Sequence, residues 1–317
     1  MVLTRLRKIG FIAPSTALSK SEKGSVGKTV RILREFLDLA PGDIAISEFL
    51  YSSDEEIDHV TASAEARTEE FKRVIRECDL IVSLAGGTGA EDLSFKIDKT
   101  DYRLIRNRRS VFIGFSDFTF LLSEIYHHAR VPVIYFPSLR LGKGNSRKIL
   151  ALLAGKEIVD HGRRWLTPPP ARRISGIPIG GNLSTFVNFL NRSHPPKFNW
   201  KRHILFIEDV HIDVEDLHRF LAALRRHQVV DKIRGIVIGS LVGKTSNPSA
   251  RKNQKEALDF VVHYLRDDLR KRRRAGSPLP ILAVSNFGHG IERNLMAVPI
   301  GGRATISKSK KIVFWLP

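Results

Sequence analysis

Leu80-Ile81-Val82-Ser83-Leu84 runs directly into Ala85-Gly86-Gly87-Thr88-Gly89-Ala90, and the reading of this junction decides the fold. A short, nearly all-apolar run closed by a glycine cluster reads as a strand buried on both faces, since a half-solvated strand would alternate polar and apolar. Downstream, Val111–Phe115 repeats the pattern and meets Ser116-Asp117-Phe118-Thr119. Upstream, Lys8–Ala13 and Ile44–Ile46 read the same way, and Val133–Phe136 follows later. Helical spacing fills the intervals. Residues 27–39 place Val30, Leu33, Phe36 and Leu37 on one side, 64–77 reads as a charged helix, 118–129 as another, and Ile149–Leu153 extends the alternation. Strands alternating with helices predict an α/β fold whose N-terminal, mostly parallel sheet is flanked by helices.

The pattern breaks at 158–173, where basic residues precede Pro168-Pro169-Pro170, a run that fits neither a helix interior nor a central strand. The sequence therefore predicts an N-terminal α/β domain at 1–157, a linker at 158–173 and a smaller C-terminal α/β domain at 174–317. A chain of 317 residues suits two domains of about 150 residues each. In the second half, Ile204–Ile207, Gly235–Ile238, Ile281–Val284 and Ile312–Trp315 read as strands, with helices near 183–190 and 214–227. The segment 296–315 reads as short strands joined by turns at Gly301-Gly302 and Lys308-Ser309-Lys310, a strand-rich end to the domain.

Fifty-two Lys and Arg against 33 Asp and Glu give a net charge of +19. The densest run, Arg270-Lys271-Arg272-Arg273-Arg274, closes a helical segment at 253–274, where cations meet the negative end of the helix dipole before Gly276-Ser277-Pro278 stops it. Other basic residues are scattered, with no zinc-finger spacing or aromatic ribonucleoprotein motif. The charge reads as solvated surface with a general attraction for anions, and nucleic acid is not an expected partner. The single Cys78 excludes an internal disulfide framework and multi-cysteine metal cages. No apolar run reaches the ~18 residues of a membrane span, and Ile9–Pro14 is too short for a signal peptide. A soluble cytoplasmic protein without a membrane partner is the expectation.

Several motifs imitate known sites. Gly27-Lys28-Thr29 and Gly243-Lys244-Thr245 lack the earlier glycine of a phosphate loop, having Glu22 and Ile238 there. Ala85–Ala90 fails as a dinucleotide fingerprint because position 92 is Asp, yet it suits backbone N–H groups approaching a reacting oxygen. Glu208 to His218 is rich in metal-type donors, but Asp213 and Asp216 stand where a helix N-cap and first-turn acids belong. No metal and no organic cofactor is predicted. Asn182, in Gly180-Gly181-Asn182-Leu183, reads as a helix cap in preference to a substrate contact.

The chemistry concentrates at three strand ends. Ser116 sits where an apolar strand meets a helix, and a helix N-terminus offers unpaired N–H groups and positive potential that stabilise an oxyanion. A plain capping role competes, and the second glycine of the Gly-x-Ser-x-Gly hydrolase turn is missing. Glu208 closes Ile204–Ile207, and His289 lies between Gly288 and Gly290 after Ile281–Val284. A serine, a carboxylate and a histidine in this chain order supply the nucleophile, the orienting acid and the base of acyl transfer.

Six blocks together carry a family resemblance: Ile12-Ala13-Pro14-Ser15; Ala85-Gly86-Gly87-Thr88-Gly89; Phe112 to Thr119; Gly180 to Leu183; Leu205 to Asp209; and Gly288-His289-Gly290 with Asn294 and Pro299-Ile300-Gly301. In this order they resemble the LD-carboxypeptidase family of serine peptidases, which includes muramoyl-tetrapeptide carboxypeptidases and microcin C immunity peptidases. The resemblance implies Ser116 as nucleophile, His289 as general base and then acid, and Glu208 as orienting carboxylate. It implies an oxyanion hole from the N–H of Asp117 and of the Gly86-Gly87 loop. Release of terminal D-alanine from a murein tetrapeptide during wall recycling is the typical reaction, and homodimers are common. Two departures lie near the implied pocket: Thr88 stands where the family usually carries an aromatic, and Tyr135-Phe136-Pro137 replaces a His-Gly-Pro run. Two alternatives stay open: an immunity-type amidase cleaving peptidyl or aminoacyl nucleotides, and a basic nucleic-acid- or anion-binding protein on a peptidase scaffold.

Overall fold

The computed structural model describes residues 6–52, 59–242, 250–291 and 293–317. The chain forms two compact units, one comprising Met1–Lys156, Glu292–Gly301 and Leu316–Pro317, the other Glu157–Ile291 and Gly302–Trp315. Gly243-Lys244-Thr245 lies outside the described residues.

In the first unit, β1 (Ile9–Ile12), α1 (Lys23–Leu37), β2 (Ile44–Ile46), α2 (Ala64–Glu77), β3 (Leu80–Ser83), α3 (Lys99–Arg108), β4 (Val111–Gly114), α4 (Thr119–Ala129), β5 (Val133–Tyr135) and α5 (Ser146–Leu153) alternate as the hydrophobic pattern predicts. Strands β2-β1-β3-β4-β5 pair in parallel, and β1, β3, β4 and β5 are buried throughout, as a sheet covered on both faces requires. The chain steps from β1 outward to β2 and then to β3 on the other side. That reversal opens a crevice at the carboxyl ends of β1 and β3, where sheets of this order hold their ligands. Helix α3 escapes the sequence reading because charged residues outnumber its two buried apolar ones, Tyr102 and Ile105. Asp98 fixes its start by accepting from the Thr100 and Asp101 N–H groups.

The second unit contains β6 (Ile158–His161), β7 (Arg164–Trp165), β8 (Ile174–Asn182), α6 (Leu183–Asn191), β9 (His203–Val210), α7 (Val214–Arg226), α8 (Val229–Lys232), β10 (Ile236–Val242), α9 (Ala250–Tyr264), α10 (Arg266–Arg274) and β11 (Ile281–Ala283). The chain then gives β12 (Val298–Ile300) to the first sheet, antiparallel to β5, before β13 (Arg303–Ile306) and β14 (Lys311–Trp315) rejoin the second. The eight-stranded second sheet runs β6-β14-β13-β8-β9-β10-β11-β7. Its centre, β8 to β11, is parallel, while β13, β14, β6 and β7 pair antiparallel at the sides.

Three features differ from the sequence reading. The segment 158–173, expected to link the domains, supplies two outer strands of the second sheet, and its prolines follow β7. Strand β9 continues through Glu208 to Val210. The basic helical segment is two helices, broken at Leu265. Its central cation, Arg272, is buried: the guanidinium donates to the carbonyls of Val230, Ile233 and Ser277, and burial lowers its pKa. Arg272 therefore closes the carboxyl end of α8 and is no solvated surface charge. Among the described residues no helix is long and apolar enough to cross a membrane.

Candidate functional site

In the first unit the loops after β1, β3 and β4 meet. The N–H of Thr16 donates to the Gly86 carbonyl at 3.1 Å, and that of Thr88 to Thr16 Oγ1 at 3.2 Å. Ser116 begins a turn of 3-10 helix leading into α4 and holds φ at +56°, a left-handed value that costs a non-glycine residue on the order of 1 kcal/mol or more. A strained residue at a strand-to-helix turn is the setting in which nucleophile elbows are built. Gly86 packs against this serine so closely that a Cβ there would lie 2.8 Å from Ser116 Cβ. Gly87, with φ at +106°, continues the loop.

Two side chains hold the elbow. Asp117 Oδ2 accepts the Ala90 N–H at 2.8 Å, tying the Ser116 turn to the glycine loop. Burial pushes the Asp117 carboxyl up from its usual range, and the Ala90 N–H opposes that shift. The phenol of Tyr135, at the end of β5, accepts the Ser116 N–H at 3.2 Å, and its ring lies 5.0 Å from that of Phe115. Sequence reasoning used only the backbone of Asp117 and saw Tyr135 only as a departure. It missed Arg67 altogether. This buried guanidinium on α2 donates to the Ala62 carbonyl, to Pro14 in the loop after β1, to Gly89 in the glycine loop and to the Asp92 carboxylate. The available signal was an arginine in register with Phe71 and Val74 on the apolar face of α2.

In the second unit the structure brings Glu208 and His289 together. Glu208 is fully buried, and its Oε2 accepts both the backbone N–H and the Nδ1–H of His289, at 2.9 and 2.7 Å. Two donors on one carboxylate oxygen fix the ring's orientation and place the proton on Nδ1, which makes Nε2 the basic nitrogen. Gly288 allows this contact. Its φ is +107°, and a Cβ there would fall 2.4 Å from Glu208 Oε2. Successive residues of a strand point to opposite faces, so Asp209 serves the other side of β9. It accepts from Asn182 Nδ2 and from the Ser184 and Val210 N–H groups, while burial, with the Glu208 charge adding to it, raises its pKa. Asn182 caps α6 through the Thr185 N–H, as the sequence indicates, and Asp213 caps α7 through that of Asp216. Gly27-Lys28-Thr29 lies inside α1. Among the described residues no three His, Cys, Asp or Glu side chains gather as metal ligands would.

A carboxylate-oriented imidazole in one unit and a strained serine beside a glycine loop in the other are the parts of acyl-transfer chemistry. The family models match on both sides: the LD-carboxypeptidase N-terminal domain over residues 9–136 and the C-terminal domain over 175–306. The chain belongs to the LD-carboxypeptidase family. A putative carboxypeptidase of Treponema pallidum (strain Nichols) is 26% identical, covering 99% of this chain and 93% of that protein. The microcin C7 self-immunity protein MccF of Escherichia coli is 24% identical, covering 73% and 74%. Among solved structures, an MccF-like protein from Bacillus anthracis str. Ames superposes with a TM-score of 0.77 at 24% identity, covering 100% of this chain and 99% of that one. At that identity the superposition shows a common fold. Membership of the LD-carboxypeptidase family gives a serine-hydrolase fold and is consistent with a peptide-bond hydrolase.

Proposed function

We propose that this LD-carboxypeptidase family member is a serine carboxypeptidase that hydrolyses an LD-peptide bond and releases a terminal D-amino acid from a murein tetrapeptide-like substrate. The Glu208–His289 pair carries the reading, because a buried carboxylate fixing an imidazole tautomer is the part of a hydrolytic triad hardest to explain as capping or packing. In this mechanism His289 Nε2 takes the Ser116 proton as Oγ attacks the scissile carbonyl. The N–H groups of Asp117 and of the Gly86-Gly87 loop receive the oxyanion. His289 then protonates the leaving amine, and water resolves the acyl-enzyme by the same steps reversed. No metal or organic cofactor takes part in these steps.

The direct test is release of D-alanine from muramyl tetrapeptide by the wild-type chain and by Ser116→Ala. The substitution is expected to lower kcat by about 10⁴–10⁶-fold. Unchanged turnover would reduce Ser116 to a turn residue. A second reading has its own support in the similarity to MccF: an immunity-type amidase acting on peptidyl or aminoacyl nucleotides through the same residues. Turnover of an aminoacyl sulfamoyl adenosine in preference to the tetrapeptide would favour it.

A further inference from the structure

The basic run on α10 divides between two faces of the helix. Arg272 turns inward onto carbonyls, whereas Arg266, Arg270 and Arg273, at spacing i, i+4, i+7, line a groove of about 710 Å³ within the second unit. Apolar residues line it as well, among them Leu269, Leu279 and Trp165 of the outer strand β7. Trp165 Nε1 donates to the Lys308 carbonyl. Arg164 adds a fourth guanidinium, and Asp259, the one carboxylate among the described lining residues, stands 3.9 Å from it. Arg270 approaches Asp267 at 3.8 Å, while Arg266 and Arg273 form no ion pair among the described residues. Neither Glu208, His289 nor Ser116 lines this groove.

We propose that the groove is a second binding site, for a small organic polyanion that carries a planar ring, the chemical type of a mononucleotide. Three observations choose this occupant. Among the described residues the four guanidinia meet two carboxylates, Asp259 and Asp267, so the groove keeps a net positive charge, and guanidinium forks match phosphate and carboxylate oxygens. The cations follow one helix stripe over about 10 Å, the reach of one or two anionic groups and too short a track for a long polymer. The apolar lining residues Trp165, Leu269 and Leu279 suit a ligand with an apolar ring, and the volume lies in the range of small-ligand sites.

Calorimetric titration of the full chain with ADP, adenosine, inorganic pyrophosphate and a ten-nucleotide single strand tests the site. ADP is expected to bind at least about tenfold tighter than adenosine or pyrophosphate, and the pair R266E/R273E to weaken ADP at least about tenfold without changing the unfolding temperature. Trp165→Leu should weaken ADP and leave pyrophosphate alone. If R266E/R273E unfolds the chain, R266Q/R273Q carries the same expectation. ADP binding that survives the arginine substitutions, pyrophosphate binding as tight as ADP, a strand that outcompetes ADP, or no binding at all would each overturn the proposal.

Discussion

Tyr135 shows how much a single atom can decide at the residue scale. Ser116 is held in a left-handed conformation, and its N–H donates to the Tyr135 phenol. Removing one partner of a buried hydrogen bond costs about 1–3 kcal/mol, and less where the bond is only partly buried. Tyr135→Phe keeps the ring against Phe115 and removes only the acceptor, so it is expected to lower kcat by about 5- to 100-fold with a smaller change in KM. Steady-state kinetics on whichever substrate Ser116 turns over check this split, and an unchanged kcat would make Tyr135 a packing residue. The contact between Glu208 and His289 was suggested by the glycines flanking the imidazole, although Glu208 lies inside β9 and does not close it. Tyr135 was not, because an apolar strand gives no sign that its last residue turns a hydroxyl toward a neighbouring strand's loop.

At the scale of elements, α2 does more than cover the sheet. Arg67 gathers the loops after β1 and β3 around one buried cation, donating to the carbonyls of Ala62, Pro14 and Gly89. Arg67→Met retains bulk and loses those bonds, so it should destabilise the chain by about 3 kcal/mol or more in denaturant unfolding. A loss below about 1 kcal/mol would place the loops under other control. Strands of the first unit were readable because each is a continuous apolar run. Strand β8 escaped because Gly176, Pro178, Gly180 and Gly181 interrupt its pattern. Glycine fits there because β8 and β9 lie close: a Cβ on Gly180 would fall 2.2 Å from the Phe206 carbonyl. The outer strands β6 and β7 were hidden by their shortness and their charge, since an edge needs little apolar sequence.

For the whole molecule, titration of buried groups adds a pH dependence that the +19 charge alone does not reveal. Burial lowers the pKa of His127 from 6.5 to about 4, with His128 and Arg130 adding to the shift. Between those values the unfolded chain binds a proton at this position and the folded chain does not. Stability should therefore fall as pH drops from 6.5 toward 4, and the unfolding midpoint of His127→Gln should fall less steeply over that range. Equal slopes for the two proteins would remove His127 as the cause. The alternation of the first 150 residues foretold the parallel sheet, but not that β12, three residues long, would leave its neighbours β13 and β14 to join it. A three-residue run carries no mark of which sheet will take it.

That crossing has a cost during synthesis. At about 5–20 residues per second, a ribosome that has finished β5 needs roughly eight to thirty-three seconds more to deliver the strand that covers its outer side. Throughout that interval the nascent first sheet carries an unpaired rim on which another newborn chain could add, so chaperone attendance should matter most between the two halves of translation.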